Sequence, residues 1–111
     1  MTLSDGRVFN SPEYFKKMLA CLAKEQRKLS KKQKGSKNKE KQRKEVARVH
    51  QKLHNQREDF LHKLTTSLVK ESQFDMFCLE DLNLEGMKKM WGRKVSDLSY
   101  YTFQSMLSYK C

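Results

Sequence analysis

The sequence predicts a mostly α-helical chain with a short β element: an antiparallel helical hairpin, one or two strands and a C-terminal helix. Three observations predict it. Apolar residues recur at three- and four-residue steps over two long stretches, which is the helical period. A stretch with no apolar residue, Lys31-Lys32-Gln33-Lys34-Gly35-Ser36-Lys37-Asn38, parts them. A short apolar run, Phe74-Asp75-Met76-Phe77-Cys78-Leu79, then breaks the helical pattern and suits a buried strand.

Residues 1–10 read as a short strand or turn, with Asp5-Gly6 the tightest turn signal. The basic helical hairpin occupies residues 11–71. Ser11 can cap its first helix, Pro12 suits the first helical position, and Glu13 complements the positive helix start. Phe15, Met18, Leu19, Leu22, Gln26 and Leu29 share one narrow face, and the helix should end near Ser30. A longer helix starts near Lys39 and runs to Glu71, its seam Val46, Val49, Leu53, Phe60, Leu64 and Leu68, interrupted by Gln56. Helices joined by a short polar loop pair antiparallel and bury their seams against each other. Residues 72–87 are expected to form a strand and turn bearing Glu80, and residues 88–111 a basic loop and a helix. That last helix should start between Ser96 and Ser99, with Tyr100, Phe103, Met106, Leu107 and Cys111 on its apolar side. A lone strand cannot satisfy its own backbone hydrogen bonds, so the chain reads as a piece of something larger.

Its 111 residues support one small domain, and 37% hydrophobic against 33% charged residues leave little apolar surface to bury. No run approaches the roughly 18–20 apolar residues of a membrane span. The start, Met1 to Arg7, has no apolar core of a secretory signal. Three widely spaced cysteines, Cys21, Cys78 and Cys111, argue against a disulfide framework or zinc ribbon and suit a reduced, cytoplasmic chain. The charge is concentrated. Of the net +11, the window 27–44 holds ten cations against the single acid Glu40, a net +9, which leaves +2 elsewhere. Arg27, Lys28, Lys31, Lys32, Lys34, Lys37, Lys39, Arg43 and Lys44, with Lys41 among them, repel one another and gain most by meeting a polyanion. Nucleic acid fits, because each neutralised phosphate releases condensed counterions. The plainer reading is a solvated basic helix end. Composition does not separate DNA from RNA.

Three ordered stretches then resemble a known family. Lys28 to Asn38 is similar to the basic "LSRKxKGSKN" signature of the OrfB/TnpB insertion-sequence proteins, transposon-encoded RNA-guided nucleases related to type V CRISPR effectors. Asn55-Gln56-Arg57 and Asp59 to Thr65 resemble its "NQRxDFLHKLS" helix, and Leu79 to Met87 its "xEDLNVKGM". Val95 to Lys110 continue the likeness, with Tyr100 where the family usually carries Trp. The resemblance implies a piece of a RuvC/RNase H-like α/β domain, with the hairpin inserted before the strand that bears the catalytic Glu. It implies Mg²⁺ held by three carboxylates, of which Glu80 is the one expected here. It also implies DNA and guide RNA as partners, and it reads the chain as an internal, catalytically incomplete fragment. Two other readings stay open: a stand-alone basic nucleic-acid-binding module, and one part of a split nuclease associating with other nuclease segments.

Each singled-out residue also has a plain role. Glu80, read without the resemblance, is an acid opening a turn. Asp81 cannot share an ion with it if both lie on a strand, since neighbours there face opposite ways. Glu85 reads as a loop acid. His50 and His54 stand one helical turn apart, but the sequence H-Q-K-L-H is not a zinc-protease motif, so no zinc site is expected; they and His62 read as surface histidines. Cys21 and Cys78 fall on apolar positions and read as core. Trp91, among Lys88, Lys89, Arg93 and Lys94, suits either stacking on a base or packing.

Overall fold

The computed structural model describes residues 1–71 and 76–111, with the backbone alone for residues 93–98. Among the described residues four helices are present: α1 (Tyr14–Ser30), α2 (Lys37–Glu71), α3 (Leu84–Leu98) and α4 (Tyr100–Lys110). They divide between two compact units, Tyr14–Phe60 in one and Met1–Glu13 with Leu61–Cys111 in the other.

In the first unit α1 and the early part of α2 form the hairpin. Three contacts fix its antiparallel sense: Tyr14 meets the Phe60 ring edge-on, the Arg57 guanidinium lies over Phe15, and Gln42 Nε2 donates to Glu25. As one partner number rises the other falls. Leu22 and Leu53 are buried at the centre of the seam. The helix starts at Tyr14, two residues later than Ser11-Pro12 suggests. Glu13 has φ +50, outside helical space, and its N–H is taken up by Ser11 Oγ at 3.4 Å. Gln56, the polar break in the seam, keeps Oε1 buried without a hydrogen-bond partner.

The pairing expected along the whole α2 seam stops short. At 1.5 Å per residue α1 spans about 26 Å and α2 about 52 Å. The last turns of α2 belong to the second unit, where Leu61, Leu64, Thr65 and Leu68 are buried together with Phe103, Met106 and Leu107 of α4. Lys110 joins the two helices, its Nζ donating to Thr65 Oγ1 (2.8 Å), Thr66 Oγ1 (2.9 Å) and the His62 carbonyl (3.0 Å). Thr65 Oγ1 in turn donates to the Leu61 carbonyl at 2.7 Å, which leaves no polar atom of this buried threonine idle.

The expected short β element is not found among the described residues. Residues 1–10 form a tight turn at Asp5-Gly6, closed by Leu3 N–H to the Arg7 carbonyl (2.9 Å) and Gly6 N–H to the Leu3 carbonyl (3.1 Å). Its two arms meet at one isolated antiparallel bridge, Thr2 with Val8, and beyond it Phe9 N–H donates to the Met1 carbonyl (2.7 Å) and the Met1 ammonium to the Phe9 carbonyl (2.8 Å). Of the proposed strand, Phe74 and Asp75 lie outside the described residues, and Met76 to Leu79 form no strand. An extended segment needs a neighbour for its backbone groups, and none stands beside this one among the described residues. Accordingly Met76 (76% exposed), Cys78 and Leu79 face solvent. Cys21 is exposed as well, so neither cysteine is a core residue.

The expected basic loop over residues 88–94 is helical and belongs to α3, which begins at a cap the sequence reading missed. Asn83 Oδ1 accepts the Gly86 N–H at 3.0 Å, and the Asn83 carbonyl accepts Met87 N–H at 3.1 Å. Gly86 fits there because a Cβ would come within 3.3 Å of the Asn83 side chain. The helix kinks at Gly92 (φ 17°, ψ −86°). No described helix is long and apolar enough to cross a membrane.

Candidate nucleic-acid interface

The tip of the hairpin is built by backbone geometry rather than by apolar packing. At the end of α1, Ser30 Oγ returns to the Gln26 carbonyl (3.0 Å) and Lys32 N–H bonds the Leu29 carbonyl (3.2 Å). Gly35 then takes φ +81, a conformation open to glycine at little cost. Ser36 starts α2: its Oγ accepts the Lys39 N–H at 3.1 Å while donating to the Gln33 carbonyl at 2.8 Å. Glu40 sits in the first turn, where its charge suits the helix dipole.

This scaffold holds Arg27, Lys28, Lys31, Lys32, Lys34, Lys37, Lys41, Arg43 and Lys44 exposed, and Lys39 half-buried. Among the described residues only Lys28 of these has an acid partner, Glu25 Oε1 at 2.9 Å. Glu25 also accepts Gln42 Nε2 on Oε2 (2.6 Å) and on its own carbonyl (3.2 Å), which ties the two helices below the tip. The Lys28 hydrogen bond first, and then that from Gln42, hold the Glu25 carboxyl below its usual range. The remaining cations carry their full field into solvent.

A second feature escaped the sequence reading. Lys37, Lys41, Lys44, Arg48 and Lys52 follow at steps of four, three, four and four, so they line one face of α2, and all are exposed. The seam residues Leu53 and Phe60 lie on the opposite side. The basic surface thus extends about 22 Å along the helix, beyond the window 27–44. Arg48 shares its charge with Glu45 one turn before. Helical spacing of the cations would have found this ridge; charge counting does not. Lys39 and Arg43 point elsewhere around α2, so the cations do not form a single plane.

Glu80 lies in the second unit, exposed and outside any helix. The Tyr100 hydroxyl donates to its backbone carbonyl at 2.6 Å, which fixes the Glu80 backbone but not its carboxylate. Asp81 beside it is also exposed. No group of three or more His, Cys, Asp or Glu among the described residues is placed to share a metal ion. Magnesium needs several hard oxygen ligands in near-octahedral array, so the residues brought together here do not fit it, and no step through the metal is derived. His50, His54 and His62 are exposed on α2, with His54 Nε2 at 3.2 Å from Glu58 Oε1.

The fold is helical, and its chief surface feature is a cationic hairpin tip with no apolar anchor. Its sequence matches the OrfB_IS605 family, described as "Probable transposase", over residues 1–90. It is 43% identical over 113 residues to a Streptomyces pristinaespiralis protein described as an RNA-guided DNA endonuclease, covering 100% of this chain and 28% of that protein. It is 35% identical over 126 residues to an Escherichia coli K12 protein described as the RNA-guided DNA endonuclease InsQ, covering 98% of this chain and 31% of that protein. The chain belongs to the OrfB/TnpB transposase family. It spans less than a third of the length of these relatives.

Proposed function

We propose that this chain supplies the nucleic-acid grip of a TnpB-like RNA-guided DNA endonuclease, holding the phosphate backbone of DNA or guide RNA with its hairpin tip. The observation that carries this is the run of exposed cations from Arg27 to Lys44 with one acid partner between them, Glu25 on Lys28. Phosphates supply the missing anions, and the released counterions supply the driving force. Nothing in the cluster presents a fixed set of base-reading groups, so binding is positional and indifferent to sequence. Glu80 enters the reading as one carboxylate of a nuclease centre. A single carboxylate cannot clamp the ions of two-metal phosphoryl transfer, and the chain on its own is therefore a binding element, not a complete nuclease.

Because the cations surround the helix, about four to six phosphates are reachable at once. On duplex DNA log K should then fall against log salt with a slope of roughly −4 to −5, from about −0.9 per phosphate. Fluorescence anisotropy of a labelled duplex across a salt series measures it. Replacing Lys31, Lys32, Lys34 and Lys37 by Ala should weaken binding and flatten the slope, equally for unrelated sequences. Affinity insensitive to salt, or unchanged in that variant, would remove the reading.

A further inference from the structure

We propose that Trp91 is a stacking platform for an unpaired base of single-stranded nucleic acid, with Lys88 meeting a flanking phosphate. The inference rests on nucleic acid as partner but on residues of the other unit, remote in sequence from the hairpin tip. Four observations carry it.

Trp91 is 53% exposed although it is the largest apolar side chain in the sequence. Its ring has no aromatic, cationic or hydrogen-bond partner among the described residues, unlike Tyr14, Phe15 and Tyr100, each of which has one. A tryptophan kept for packing would be covered. Lys88, one helical turn earlier on the same face, is exposed, as is Lys89. Neither has an acid partner among the described residues. Finally, Gly92 follows directly, out of helical conformation, and a Cβ placed on it would meet nothing within 4 Å. The helix breaks beside the indole.

A flat π face with a cation one turn away is the arrangement by which single strands are held without regard to sequence. The base stacks on the ring and its phosphate lies against the ammonium group of Lys88. A duplex, whose bases already stack on each other, cannot use the ring. The exposed indole therefore selects single strands, whereas the hairpin cations do not discriminate.

Trp91 is the sole tryptophan, so emission excited at the red edge, beyond the absorption of the tyrosines, reports on it alone. Titration with oligo(dT) or oligo(U) should quench that emission by about half or more, while a duplex of equal length leaves it nearly unchanged. Trp91→Ala should lower single-strand affinity about 5- to 100-fold, the range for one lost base stack, and leave duplex affinity alone. Trp91→Phe should recover part of the loss. Circular dichroism of each variant verifies that the helices are intact.

The two readings fail in different ways. If a labelled single strand binds by anisotropy, and loses binding in the hairpin variant, while Trp91 emission stays silent, the platform is refuted and the hairpin reading survives. If no nucleic acid binds at all, both fall. A blue shift of Trp91 with protein concentration alone would assign the ring to a self-association surface and overturn the platform.

Discussion

Gln56 illustrates how a single side chain sets local stability. It stands on the α2 seam, between Val49 and Phe60, and its Oε1 is buried with no hydrogen-bond partner. An unsatisfied buried oxygen costs on the order of 1–3 kcal/mol, and an isosteric apolar side chain avoids that cost. Gln56→Leu should therefore raise stability by about 1–2 kcal/mol, read as a shifted urea midpoint with unchanged slope; a lower midpoint would show that the amide is satisfied in solution. Glu25 acts at the same scale through charge. Its carboxyl is held below its ordinary value of 4.5, by Lys28 and then by Gln42. A depressed acid contributes stability above that ordinary value and loses it as pH falls through the lowered one. Acidification from pH 7 to pH 3 should thus destabilise the native chain more than the Glu25→Gln variant, in which the group no longer titrates. Asp5, held below its ordinary value by hydrogen bonds from Arg7, is common to both chains and does not distinguish them. Equal pH dependence of the two would refute the role given to Glu25.

At the scale of elements, the hairpin tip is held by caps. Between Ser30 and Lys37 no side chain is buried, and Ser36 alone makes two of the bonds that turn the chain. Ser36→Ala should cost about 1 kcal/mol, the ordinary value for a lost N-cap, and fray the first turn of α2. Limited trypsin reads the fraying. Native cleavage should fall first at Lys31, Lys32 or Lys34, and in Ser36→Ala extend to Lys37 and Lys39. Early cutting at Lys63, inside α2, would contradict the paired helices. The elements that sequence alone foretold are those with dense apolar periodicity. Leu53, Leu64 and Leu68 of the α2 seam and the Phe103, Met106, Leu107 face of α4 are buried where the pattern put them, while Val46, Val49 and Phe60 are half-buried. What the pattern misjudged has a physical cause in each case. Met76 to Leu79 are apolar, but apolarity does not create a neighbouring strand, and without one the segment stays exposed. α3 hides its helical period behind Lys88, Lys89 and a glycine, and only the Asn83 cap announces it. Glu13 is a favourable helix residue whose φ of +50 nonetheless displaces the start of α1. The cations were legible as a count; their alignment on α2 became legible only as geometry.

For the whole molecule, binding and catalysis separate. The proposed binding draws on a net +9 concentrated in residues 27–44 and tolerates imprecise placement, since Coulomb attraction falls slowly over several ångströms. Hydrolysis by a two-metal route tolerates none: oxygens from several residues must converge so that the ions sit about 4 Å apart around one phosphate. The described acids are scattered instead. Glu80 and Asp81 are neighbours in an exposed, non-helical segment, and the Tyr100 tether fixes the Glu80 backbone while its carboxylate stays in water. Purified chain with Mg²⁺ or Mn²⁺ should accordingly retain labelled single- and double-stranded DNA uncut under conditions where anisotropy shows it bound. Glu80→Gln should leave that binding unaltered, because Glu80 stands outside the cationic cluster. Cleavage abolished by Glu80→Gln, with binding intact, would show that copies of the chain or a further segment complete a metal centre around this carboxylate. Gel filtration of the active species, followed by mixing Glu80→Gln with native chain, would then tell these apart. Mixed copies lose activity out of proportion to their number only if each centre draws Glu80 from more than one copy.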